Sequence, residues 1–259
     1  MEQLSRRSFL KKSAAGAAAG GLLLDGLWLK ASRAAGKDYF AAEFGIDDAL
    51  CRRILAQALA KGGDWADLFF EHTINNYVVL EDGKVNQAYS SVVLGVGIRT
   101  VKGDQVGYGF TQELDEKSML AAAATAATIA DAGSRKPAAK FSRLQTAGRY
   151  PLARLYSQVP LAEKLPIVQS VNDKCFSASP LVVKVNATLA DEQKRILIVT
   201  SDGVKAEDLQ PKSYLYASVT AEKDGKRERA GYNFGGRRDF SFYTPALIDE
   251  LCQEAVSRV

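Results

Sequence analysis

Residues 64–111, DWADLFFEHTINNYVVLEDGKVNQAYSSVVLGVGIRTVKGDQVGYGFT, set the architecture of the chain. The run reads as four or five strands joined by tight turns. Asp82-Gly83 stands between two β-rich segments, and Asp-Gly supplies the two φ > 0 residues of a type I′ hairpin turn. Lys102-Gly103-Asp104 makes the next reversal. Between them, residues 92–101 are almost wholly apolar and β-branched, the pattern of a strand buried on both faces. Gly95, Gly97, Gly107 and Gly109 alternate within strands and fall on one face, where a second backbone or a ligand can come close.

Helices flank this sheet. Asp47 or Asp48 caps a helix over 49–61, with Leu50, Ile54, Ala58 and Leu59 on its apolar face and Gly62-Gly63 to stop it. Asp115 opens an alanine-rich helix that ends by Gly133. Residues 134–160, basic and holding three prolines, read as a linker or extended arm. Beyond it come a helix over 161–178, strands over 181–190, 195–200, 212–222 and 227–234, and a helix over 246–258 that Thr244-Pro245 opens. Ser201-Asp202-Gly203 and Asp224-Gly225-Lys226 provide turns.

The expected fold is therefore α+β, in two consecutive domains (45–133 and 161–259), each a mostly antiparallel sheet flanked by helices. The final helix has no capping glycine. It reads as cut before a further, metal-bearing domain, with Leu247, Leu251 and Val256 exposed and the chain prone to associate.

The formal charge of +4 resides in residues 1–34, which hold six basic and two acidic residues. The remainder is balanced, so charge gives no case for nucleic acid as a partner. Ser5-Arg6-Arg7-Ser8-Phe9-Leu10-Lys11 resembles the twin-arginine export motif, with Arg6 and Arg7 as the signal pair. A weakly hydrophobic region over 14–29 and a small-x-small site at Ser32-Arg33-Ala34 complete a signal peptide over 1–34. Asp25 and four glycines interrupt the apolar run, so no stable membrane anchor is expected, since a span wants about 18 or more apolar residues. The expected location is periplasmic or otherwise extracytoplasmic. Cys51, Cys175 and Cys252 show no short spacing and read as small buried hydrophobes, and the pattern argues for no disulfide.

Familiar catalytic arrangements are missing from the sequence. The single histidine, His72, lies in a strand and is followed by Thr-Ile-Asn, which leaves no His-Glu-x-x-His helix. A nucleophile triad would need that same residue, and no Gly-x-Ser-x-Gly elbow occurs. Gly95-Val-Gly97 has Thr100 where a dinucleotide fingerprint places its third glycine. No catalytic or metal-ligating residue is assigned.

Asp64-Trp-Ala-Asp-Leu-Phe-Phe-Glu71, Leu94-Gly-Val-Gly-Ile-Arg99 and Gly103-Asp-Gln-Val-Gly-Tyr-Gly-Phe-Thr111 together resemble the TldD/PmbA family, also called modulators of DNA gyrase. Val199-Thr-Ser-Asp-Gly203 and Gly235-Gly-Arg-Arg238 extend the likeness over residues 45–259. The resemblance implies a zinc metallopeptidase acting on peptides or unfolded segments. Its metal motif, His-Glu-x-x-x-His, would lie past Val259, and a second TldD/PmbA-type subunit would be its partner. A non-catalytic peptide-binding or PmbA-type subunit is the alternative. Gly107, Tyr108 and Gly109 are the candidate substrate-binding residues, on the ground that an extended peptide adds to a sheet edge through main-chain hydrogen bonds. The alternative for these glycines is relief of crowding within the sheet.

Overall fold

The computed structural model describes residues 38–130, 138–144 and 150–259. The signal-peptide reading of 1–34, with Arg6 and Arg7, lies outside the described residues, as does part of the expected linker. The chain divides into two compact units, residues 1–45 and 46–259. In the first, helix α1 (Tyr39–Phe44) runs between Asp38 and Gly45, whose φ values are 82° and 71°. Its Tyr39 and Phe40 rings meet edge to face at 5.5 Å.

The second unit opens with α2 (Asp48–Ala58), where the Asp47 carboxylate accepts from the Leu50 amide at 2.7 Å. There follow β1 (Trp65–Glu81), β2 (Lys84–Lys102), β3 (Gln105–Thr111) and α3 (Glu116–Ala127), the last capped by Asp115 through the Ser118 amide at 2.9 Å. The short strand β4 (Ser142–Arg143) precedes α4 (Leu161–Ala178), β5 (Val182–Thr200), β6 (Val204–Lys223), β7 (Lys226–Gly236) and α5 (Pro245–Val256). The helix start at Leu161 and the Thr244 cap on α5 agree with the sequence.

The strands form one sheet in the order β3-β2-β1-β5-β6, with β4 and β7 paired to opposite ends of β6. β1 pairs antiparallel with β5 from Asp67↔Thr200 to Glu81↔Asn186. The two sheets expected of consecutive domains are thus halves of a single curled sheet, antiparallel but for the β4–β6 pair, within an α+β fold. All helices of this unit lie on one face. There α2 and α3 pack against Leu68, Phe70, Val96 and Ile98, while α4 and α5 cover Val78, Leu80, Val185, Leu215 and Ala217. The first hairpin is tied across this join. Asp82 and Gly83, with φ of 49° and 76°, make the type I′ turn, and the Asp82 carboxylate accepts from the Val185 amide while Gly83 donates to Asn172 on α4.

Four features differ from the sequence reading. Residues 64–111 form three strands, two of them very long, because Asn76 does not break β1: it donates to Asp191 at 2.6 Å and accepts from Ser90 at 2.5 Å. Likewise β5 and β6 run unbroken. Asp191 and Gln193 are buried with partners, and Pro211 falls where no strand stands outside β6. Residues 92–101 are not buried on both faces: Val93 is exposed on the open face, and Val92, in the helix-side row of Ile74, is exposed too. Finally, α5 does not expose its apolar side. Leu251 is wholly buried, and Leu247 and Val256 pack on the same core of this chain.

The described part of 134–160 is also more ordered than a linker. Residues 139–144 hydrogen-bond along the start of β6, Ala153 donates to Asp239, and Tyr156 is fully buried with its hydroxyl donating to the Arg238 carbonyl at 2.6 Å. No described helix is long and apolar enough to cross a membrane.

Candidate functional site

β3 is the end strand of the sheet, and among the described residues no strand lies outside it. Gly103, with φ of 58°, turns the chain from β2 into β3, which then pairs Thr100↔Gly107, Arg99↔Tyr108 and Ile98↔Gly109. Side chains alternate, so Gly107 and Gly109 share the helix-covered face with Ile98, and Tyr108 points to the open face.

The two glycines are where the sequence placed them, but the close approach they allow is taken by the protein itself. A Cβ on Gly107 would overlap the carbonyl oxygen of Ala126, and one on Gly109 that of Ala122. The alanine-rich α3 therefore lies directly on β3, backbone to backbone. Ligand contact across that face is closed. What remains open is the strand's outer edge and the face that carries Tyr108.

That face is apolar around the edge. Tyr108 is 61% exposed and Phe110 72%, and their rings stack with centroids 6.4 Å apart. Phe69, Gly97 and Phe110 form one cross-strand row, and Val106 and Val93 extend the patch. A Cβ on Gly97 would meet the Tyr108 hydroxyl, which leans over it, so the bare glycine lets the exposed ring lie flat on the strand. Arg99, in the next row, holds Asp67 through two hydrogen bonds of 3.0 and 2.8 Å and sits 5.3 Å over the Trp65 ring. The carboxylate raises the Arg99 pKa, so the guanidinium stays charged beside the apolar patch.

Farther along the same face lies a second aromatic group that the sequence did not disclose. Tyr89 on β2, Tyr77 on β1, Ala190 on β5, Tyr214 on β6 and Gly235 on β7 occupy one row across five strands. Tyr77 and Tyr89 stack at 4.9 Å. Burial, then the neighbouring Tyr77 and Tyr89, push the Tyr214 hydroxyl pKa up, so it remains a hydrogen-bond donor. Between the two aromatic groups the face carries paired charges, Glu71 with Lys194 at 3.1 Å and Glu192 with Lys212 at 3.3 Å. β2 is also bare beyond β3: pairing begins at Val96, and residues 84–93 are exposed throughout. The signal for these rows was the strand register, which a single sequence does not reveal.

His72 sits within β1 and faces the helix side with Phe70 and Ile74. Burial, then the charge of Arg195, lower its pKa, so it is neutral at pH 7. Among the described residues, no group of three or more His, Cys, Asp and Glu side chains is placed to hold a metal ion.

Residues 66–130 match the family model for PmbA/TldA metallopeptidase domain 1, and residues 154–259 that for the PmbA/TldA metallopeptidase central domain. A metalloprotease TldD homolog of Haemophilus influenzae is 29% identical over 190 residues, covering 73% of this chain and 39% of that protein. A second, from Buchnera aphidicola, is 27% identical over 207 residues, covering 74% of this chain and 41% of its own. The chain thus spans about two fifths of the length of the curated relatives it matches. Among solved structures, a putative modulator of DNA gyrase from Bacteroides thetaiotaomicron superposes with a TM-score of 0.66 at 15% identity, over 83% of this chain and 50% of that one. One from Thermotoga maritima gives 0.63 at 16%, over 82% and 47%. TldE from Thermococcus kodakarensis gives 0.56 at 14%, over 80% and 46%. These structures share the fold, and the two adjoining domain matches place the chain in a family: it belongs to the PmbA/TldD family.

Proposed function

We propose that this chain is the peptide-binding portion of an exported TldD/PmbA-type zinc metallopeptidase that acts on peptides or unfolded segments. The open edge of β3 beside the exposed Tyr108 and Phe110 rings carries this reading. An edge strand presents unpaired N–H and C=O groups, and these pair with an extended backbone whatever its sequence. Aromatic rings next to the edge add apolar contact for alternate side chains of that backbone. Tyr108 and the backbone of Gly107 and Gly109 would make the contacts, the glycine side facing α3 and the tyrosine side facing the bound segment.

Zinc, in this reading, belongs to residues outside this chain. The described residues offer no donor set that fits the ion, so no catalytic step is assigned to them. The descriptions of the TldD homologs as metalloproteases support peptide hydrolysis for the whole protein, and a second TldD/PmbA-type subunit is its proposed partner. Export by the twin-arginine route rests on Arg6 and Arg7.

Titration of the protein into a fluorescein-labelled unstructured peptide tests the reading. Saturable binding is expected, weakened roughly tenfold in Tyr108→Ala, a loss of about 1.4 kcal/mol. Absence of saturable binding by the wild-type protein would overturn it.

A further inference from the structure

Helices α4 and α5 meet in the second core, and each contributes a buried cysteine, Cys175 and Cys252. Cys252 Sγ donates to the Val171 carbonyl at 3.5 Å, one turn before Cys175 on α4. Each thiol bears directly on the ionisation of the other. Across the same junction Lys174 pairs with Asp249. The cysteines are remote in sequence, with β5, β6 and β7 between them, yet they share one buried junction of α4 and α5. A disulfide demands close Cβ atoms from two elements facing each other, and here the two cysteines come from two helices packed on one another.

We infer that Cys175 and Cys252 are a dithiol–disulfide pair that cross-links α4 to α5 when the protein meets a small-molecule disulfide such as oxidised glutathione. The reaction balances as two exchanges. Cys252 thiolate attacks one sulfur of the small disulfide, forming a mixed disulfide and releasing one thiol. Cys175, its proton passing to solvent, then attacks the Cys252 sulfur and releases the second thiol. Two protein S–H bonds become one S–S bond, and the small disulfide is reduced to two thiols. The order follows from the surroundings. Cys175 first, then the Lys174 ammonium, hold the Cys252 thiol below the usual range, whereas Cys252 and burial push Cys175 up. Both sulfurs are buried, so exchange proceeds through local opening of α5. Cys51 is the built-in control. It lies in α2, burial pushes its thiol up to about 12, and no cysteine bears on it.

The test equilibrates the 259-residue chain in glutathione buffers from fully reduced to fully oxidised, followed by acid quench, denaturation, alkylation and peptide mapping. The expected oxidised product has only Cys51 alkylated, a peptide joining the segments of Cys175 and Cys252, and a Tm raised by roughly 5–15 °C. Cys51→Ser keeps the link and the shift; Cys175→Ser loses both. Three alkylated thiols at every ratio, or glutathione held on Cys252 with no link to Cys175, would overturn the inference. Should Cys175→Ser fail to fold, the wild-type and Cys51→Ser peptide maps decide alone.

Discussion

The ammonium of Lys164 on α4 lies 2.6 Å from the carboxylate of Asp191 in the middle of β5, with both residues under 5% exposed. Asn76 of β1 donates to the other carboxylate oxygen, and the Phe240 ring stands 5.2 Å from the Lys164 nitrogen. This pair sits where the two halves of the sheet join, and burial raises the Asp191 pKa in spite of the facing ammonium. Removing one partner leaves a buried charge alone. Lys164→Met is expected to lower stability by about 3–5 kcal/mol, whereas Lys164→Met with Asp191→Leu recovers most of the loss. Urea unfolding of the three proteins checks this, and a single variant within about 0.5 kcal/mol of wild type would contradict it.

Gly109 and Gly103 separate packing from backbone conformation. Gly109→Ala drives a methyl into the Ala122 carbonyl, with an expected cost of about 2 kcal/mol or more and displacement of α3 from β3. Gly103 has open space around it but a φ of 58°, so Gly103→Ala costs only about 1–2 kcal/mol of strain. Thermal melting of both variants gives the ranking, and equal stability of Gly109→Ala and wild type would refute the packing account.

His72 sets a pH dependence. Its folded pKa lies below the unfolded value, so between the two the unfolded chain binds more protons and stability falls as pH falls. The loss begins near pH 6.5 and continues downward to the folded pKa. His72→Gln is expected to flatten that part of the stability–pH curve, measured by denaturant midpoints. An unchanged slope in the variant would assign the titration to another group.

Arg6→Lys combined with Arg7→Lys is expected to hold the protein, unprocessed, in the cytoplasm of its host, read by cell fractionation and immunoblotting. Undiminished export of the double variant would remove the twin-arginine assignment.

Much of the framework was legible locally. The Asp-Gly turns at Asp82 and Asp224 show the paired positive φ values the hairpins require, and Asp47, Asp115 and Thr244 cap the helices they precede. These features depend on a few neighbouring residues, so sequence exposes them. The join of β1 to β5 was not legible, because register between strands more than 100 residues apart leaves no local mark. Asp191 and Gln193 misled for a related reason. Polar residues read as a break in a strand until Lys164, Asn76 and Ser157 arrive from elsewhere to satisfy them. At the candidate site, Tyr108 was found through the flanking glycines, yet the spacing could not say that α3 would fill their face. Phe69, Tyr77, Tyr89 and Tyr214 join the open face only through register.

Hydrogen exchange of residues 105–111, with and without a saturating unstructured peptide, tests the peptide-binding edge most directly. The account predicts that alternate amides along the outer edge of β3 slow by roughly tenfold or more on binding, while α5 is unchanged. Saturated peptide with unaltered exchange throughout β3 would place the bound segment elsewhere and contradict the account.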